Sequence, residues 1–283
     1  MNTRSQKAGV IPVTAMVACT GLLGVCNPAS AVTVPWIGTA DYTTVIGASG
    51  EVVGPFDSYD FSNGGVVLIE PNVTSGSGFH VGDTYNGYYQ SYVTQHTLSG
   101  ALVANPQLNN SYELTVAAQF TQQVTAVDNF GNATFAVTGG SAGLFLDGGT
   151  NHDFTADSGF DDGSSILSGT ISGGGGSFFT NAGFGVTGFN LDIAAFNYNS
   201  AVYNPNTINA ANGIFTMHIN PAGVTSGVNT VQGHAVNAGD LLLEADGNLD
   251  LTAVPLPPAL LLLGSALAGL GLTSKRRRGL QAV

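Results

Sequence analysis

The chain has 283 residues, 43% apolar and only 8% charged, with 40 glycines and a formal net charge of −12 at neutral pH. All six basic residues lie at the ends, Arg4 and Lys7 and then Lys275 to Arg278, whereas all 18 acidic residues fall between Asp41 and Asp250. A middle of about 220 residues therefore carries −18 with no lysine or arginine, which excludes Lys/Arg ion pairs within it and argues against nucleic acid or anionic lipid headgroups as partners.

Residues 1–31 have the three parts of a secretory signal: a positive start at Arg4 and Lys7, an apolar stretch from about Ala8 to Val25, and Ala29-Ser30-Ala31 before the expected cut. Signal peptidase is the expected processing partner. Cys19 and Cys26 both fall in this segment, so the exported domain would have no disulfide and no thiol chemistry.

From residue 32 to 253 short apolar runs alternate with Gly, Asn, Asp and Ser, and no amphipathic helical stripe is sustained. The pattern predicts an all-β domain, with strands at Val66 to Glu70 and Phe79 to Val81. Tyr85, Tyr88, Tyr89 and Tyr92 follow among Asn86 and Gln90; they suit either sugar-stacking faces or strand aromatics turned to a core. The clearest strand runs from Tyr112 to Val127, where Tyr112, Leu114, Val116, Ala118 and Phe120 alternate before Val124 shifts the phase, the mark of a bulge. Asp128 to Asn132 supplies the turn and Ala133 to Thr138 the return strand of a hairpin.

Gly139-Gly-Ser141-Ala-Gly143 matches the nucleophile-elbow pattern, but Gly143 to Asp147 reads as a strand where that elbow requires a helix. Asp147, Asp153, Asp157, Asp161 and Asp162 form the densest acidic stretch. Hard oxygen ligands on a turn-rich loop suit calcium, so Asp153, Asp157, Asp161 and Asp162 are the candidate ligands, with a solvated acidic loop as the alternative. His80, His96, His152, His218 and His234 are scattered, without the spacing of a helical zinc site.

Further strands are expected at Ser165 to Ile171, Gly185 to Ala195, Ile214 to Asn220 and Leu241 to Thr252, with Gly173 to Gly176 as a loop or tight bend. Eight or more strands in one domain suggest a β-sandwich or jelly roll.

Residues 254–283 open on Val254-Pro255-Leu256-Pro257, continue as an apolar stretch and end on Lys275, Arg276, Arg277 and Arg278. The 19 residues from Val254 to Leu272 carry no charge, close to the length of a membrane-spanning helix, and the cations after it would stay cytoplasmic. This ordered set resembles the PEP-CTERM sorting signal read by exosortases in Gram-negative bacteria. Leu256 stands where the name-giving pattern has Glu, a form familiar among such tails. The resemblance implies a transient inner-membrane intermediate, cutting near the proline motif by an exosortase-type enzyme, and release to the cell surface or extracellular matrix.

Three phrases in the middle domain, at 82–92, 112–120 and 151–160, resemble PEP-CTERM proteins associated with flocculation. That resemblance implies a non-enzymatic role in biofilm cohesion with exopolysaccharide, with calcium as the candidate bridge between acidic groups. The alternative from another class is a secreted polysaccharide hydrolase using two carboxylates 5 to 9.5 Å apart, as a rough rule.

Overall fold

The computed structural model describes residues 34–179, 185–218 and 225–254. The signal segment with Ala29 and Ala31, the residues Pro255, Leu256 and Pro257, the tail helix and the basic run Lys275, Arg276, Arg277 and Arg278 lie outside the described residues. In chain order the strands are β1 (Val34–Pro35), β2 (Gly38–Asp41), β3 (Val52–Phe56), β4 (Ser58–Phe61), β5 (Gly65–Val73), β6 (Thr84–Leu98), β7 (Ala101–Val103) and β8 (Glu113–Val127). They continue as β9 (Ala133–Asp147), β10 (Ser164–Phe179), β11 (Gly185–Tyr198), β12 (Tyr203–Asn204), β13 (Ile208–His218), β14 (Thr230–Val231), β15 (His234–Ala235) and β16 (Leu241–Ala253). A single turn of helix, α1 (Thr43–Ile46), interrupts them.

The protein is all-β, but the long strands close into one antiparallel barrel of eight staves. The order is β4/β5, β6, β8, β9, β10, β11, β13 and β16, and β16 returns to the first stave by pairing Leu241 with Ile69, Ala245 with Gly65 and Asp250 with Ser58. β4 and β5 share that stave, broken at residues 62–64, where Ser62 accepts the Gly64 N–H on its hydroxyl and the Gly65 N–H on its carbonyl. The expected sandwich or jelly roll is therefore corrected to a closed barrel. A sandwich leaves edges where strands end, whereas here β6, β8, β9 and β10 run 15 or 16 residues and pair on both sides, so closure removes the edges.

Bulges supply the bending that closure requires. β8 shifts register against β9 between Thr121 and Gln122 and again between Val124 and Ala126, the place where the alternation breaks in the sequence. Gly173 to Gly176, expected as a loop or bend, lies inside β10, flanked by register shifts against β11 at Ile171/Gly173 and Gly175/Ser177. Gly174 has φ +126°, and a β-carbon there would stand 2.1 Å from the Asn190 carbonyl oxygen. Only glycine lets the two backbones approach so closely.

Side chains fill the barrel in layers. Phe79, Tyr85, Phe135 and Phe178 close one end, with ring centroids 5.3–5.6 Å apart for the three contacts of Phe79. Phe79 to Val81, expected as a strand, is instead a loop, and Phe79 packs inward as a stopper because one anchored ring buries more apolar area than a short strand with no partner. The loop is held by Asp83, nearly fully buried, whose carboxylate accepts the N–H and hydroxyl of Ser75 and the N–H of His80 at 2.8–2.9 Å. The middle is filled by Phe61, Tyr89, Phe120, Phe189 and Phe215; one cavity of about 20 Å³ lies among these rings and another of about 20 Å³ lies beside the Phe79 layer. The interior is a packed core.

At the other end Trp36, Tyr42, Phe56, Tyr59, His96, Tyr112 and Tyr203 form a buried aromatic floor. Its polar atoms pair in a chain: Asn105 Nδ2 to His96 Nδ1 at 3.1 Å, His96 Nε2 to Tyr42 Oη at 2.7 Å, Tyr42 Oη to Tyr59 Oη at 3.3 Å, and Tyr59 Oη to Tyr203 Oη at 2.7 Å. Burial pushes the phenols of Tyr42, Tyr59 and Tyr203 upward and pushes the His96 imidazole down to about 3.

The main apolar core lies inside the barrel, and Val66, Leu68 and Tyr88 on the other face pack against Val228 and Val231. No described helix is long and apolar enough to cross a membrane. The first and last described strands lie side by side, Val34 opposite Ala253, and exposed Val254 of the proline motif donates its N–H to the Thr207 carbonyl at 2.9 Å.

Candidate functional site

The outer wall of β8 to β11 carries two rows of small and polar residues fixed by strand register. One row is Ala117, Gly143, Ser168 and Asn197; the next is Gln119, Ser141, Thr170 and Ala194. Side chains alternate across a strand, so these rows share the outward face while Ala118 between them, and Leu144 and Leu167 beside them, enter the core. The rows form the floor of a groove of about 470 Å³, bounded by Phe145, Asp161 and Gln232.

Phe145 supplies the groove's aromatic surface. Its half-buried ring lies along the strand over Gly143, where a β-carbon would approach the ring to 2.8 Å. Glycine two residues earlier thus lets the ring lie flat against the wall. Amides, hydroxyls, one carboxylate and one aromatic face around a shallow floor are groups that match sugar hydroxyls and the apolar faces of sugar rings.

Two excursions from the barrel build the rim, residues 148–163 after β9 and the segment carrying β14 and β15. They are clasped by Asp157, whose Oδ1 accepts the Gln232 N–H at 2.9 Å and Gln90 Nε2 at 3.0 Å, and whose Oδ2 accepts the Gly233 N–H at 2.7 Å. Gln232 Nε2 donates to the carbonyls of Tyr89 at 2.6 Å and Ala118 at 3.2 Å, and its Oε1 accepts from Gln119 Nε2 at 3.1 Å. Asp157 and Gln232 have φ of 53° and 52°, a left-handed conformation that L residues adopt at a cost and that surrounding bonds must hold.

Beneath the first excursion sits fully buried Glu113. Its Oε1 accepts the N–H groups of Asn151 at 2.7 Å and His152 at 3.2 Å, and its Oε2 lies 2.5 Å from His152 Nδ1. The imidazole stacks on Tyr92 with centroids 4.0 Å apart. The second excursion is held the same way, His234 stacking on Tyr88 at 3.7 Å and reaching Glu70 at 3.4 Å, over a small apolar cluster of Val66, Leu68, Val228 and Val231.

These placements resolve the expectations from sequence. The tyrosine cluster is strand β6: Tyr85 and Tyr89 enter the core, and Tyr88 and Tyr92 lie beneath the two histidines. Of the candidate calcium ligands, Asp153 accepts the N–H groups of Thr155 and Ala156, Asp157 clasps the rim, Asp162 accepts from Asn151, and Asp161 faces the groove. Among the described residues no three His, Cys, Asp or Glu side chains gather as a metal site. Ser141 lies mid-strand in β9, on the groove floor.

Phe145, Asn197, Gln232 and Glu113 are parts of the site that the sequence did not single out. The dipeptide Gln232-Gly233 was the available signal, a turn pair between apolar runs. Two carboxylates, Asp57 and Asp250, line a second groove of about 510 Å³ at the end of the barrel, where both Asp57 oxygens accept the Ser99 N–H. Comparison with family models, curated proteins and solved structures finds no match.

Proposed function

We propose that this is an exported, non-enzymatic surface or matrix protein that contacts exopolysaccharide through the outer groove and contributes to flocculation or biofilm cohesion. The observation that carries the reading is the groove itself, two register-fixed rows of small and polar residues beside a flat aromatic ring. Delivery rests on the two terminal segments: the signal at residues 1–31, and the PEP-CTERM-like tail with Val254, Pro255, Leu256 and Pro257 ahead of its basic end. In this reading calcium acts as a bridging counterion between acidic surfaces of neighbouring molecules.

The test is complementation. Deleting the gene should reduce cell aggregation, and the wild-type gene should restore it. A Phe145→Ala/Asn197→Ala variant secreted to the same level should restore less than half. Unchanged aggregation in the deletion strain, or full rescue by the variant, would overturn the proposal.

A further inference from the structure

Resting on the groove as a polysaccharide site, we infer that its ligand is a glycan with free amino groups, and that Asp161 receives the ammonium. Hydroxyls and amides from Ser141, Ser168, Thr170, Gln119 and Asn197 both donate and accept, so they suit any sugar hydroxyl and do not choose between sugars. Asp161 is different. Among the described residues it is the single carboxylate lining the groove; it is exposed, and its side chain makes no hydrogen bond or ion pair with another described residue. Neighbouring carboxylates are engaged, Asp157 with three donors and Asp162 with Asn151.

Charge across the whole domain points the same way. Between Lys7 and Lys275 there is no lysine or arginine against 18 acids, so a uronate or sulfated chain meets repulsion on approach and finds no Lys or Arg in the groove. A chain bearing ammonium groups is drawn in over long range and gains a charge-assisted contact at Asp161. At physiological salt the screening length is about 8 Å, which mutes the general attraction and leaves the contact pair as the source of preference.

The experiment is a titration of the full chain in non-ionic detergent at physiological salt with three probes of equal length: a glucosamine oligomer, its N-acetylated counterpart and a uronate oligomer. The glucosamine oligomer should bind about tenfold more tightly than the acetylated one, and the uronate most weakly. Asp161→Asn should abolish that preference, weakening the glucosamine oligomer until the two probes bind within about twofold of each other. Asp246→Asn, on β16 away from the groove, should retain it.

Equal or tighter binding of the acetylated or uronate probe overturns the inference, as does an equal loss of preference in the two variants. Should no oligomer bind while the matrix polysaccharide of the producing cells still binds wild type and not Phe145→Ala/Asn197→Ala, the amino-glycan assignment fails and the groove reading stands. If that polysaccharide does not bind either, both fail.

Discussion

Replacing Glu113 by alanine is expected to lower folding stability by about 3–5 kcal/mol and to free residues 148–163 from the barrel wall. The carboxylate is fully buried and receives two backbone N–H groups and the His152 imidazole. Alanine removes all three acceptor contacts at once and leaves the donors under the excursion unsatisfied, each at a cost of roughly 1–3 kcal/mol if water does not reach it. Glu113→Gln keeps an oxygen for the two amides and should lose only about 1–2 kcal/mol.

Denaturant melts of the two variants measure the difference, and limited proteolysis reports whether cleavage moves into 148–163. The consequence reaches the groove, because that excursion carries both Asp157, which clasps Gln232, and Asp161. A loss below about 1 kcal/mol in Glu113→Ala would show that the buried carboxylate does not anchor the rim.

Acidification should unfold the barrel from its aromatic floor. His96 is fully buried, with Asn105 Nδ2 donating to Nδ1 and Nε2–H directed at Tyr42 Oη, so the neutral ring satisfies both neighbours and a second ring proton would face a donor. Burial places its folded value at about 3, against an ordinary 6.5. Above pH 6.5 the imidazole is neutral in both states and stability is unaffected by it. As pH falls through 6.5 toward 3 the unfolded chain takes up a proton that the folded barrel refuses, so stability declines by a little over about 1 kcal/mol per pH unit.

His96→Gln keeps an amide donor toward Tyr42 and removes the titrating group. Its stability at neutral pH should be lower, but the slope between pH 6.5 and 4.5 should flatten by one proton. Denaturant midpoints measured across that range decide the matter. A parallel slope in wild type and variant would assign the acid sensitivity elsewhere.

How much of this was legible in the sequence depended on whether side chains recorded the backbone. β8 was readable because Leu114, Val116, Ala118 and Phe120 alternate, and even its bulge near Val124 left a trace in the phase. The Asp128 turn was readable because its carboxylate must accept the N–H groups of Phe130 and Asn132, a job that selects Asp. Gly173 to Gly176 was not, since glycines carry no alternation and the feature that places them in a strand is the carbonyl of Asn190 across the ladder. Barrel closure was equally hidden: the pairing of Leu241 with Ile69 joins residues far apart in the chain.

The site was hidden for a related reason. Its floor depends on which outward residues fall opposite one another in four strands, and register is set by the core face and by bulges. Ser168 meets Gly143 and Asn197 because Leu167 must meet Leu144 inside. Glu113 occupies a polar phase of β8 and would be read as exposed; it is buried because residues 148–163 fold back over it.

The most direct test of the account is a binding titration of the protein against the matrix polysaccharide of the cells that produce it, comparing wild type with Phe145→Ala/Asn197→Ala. Removing the aromatic face and one amide should weaken binding at least about tenfold, given roughly 1 kcal/mol for each contact, with the melting temperature within a few degrees of wild type because both side chains lie on the outer wall. Equal affinity in the two proteins, or no measurable binding by wild type, would contradict it.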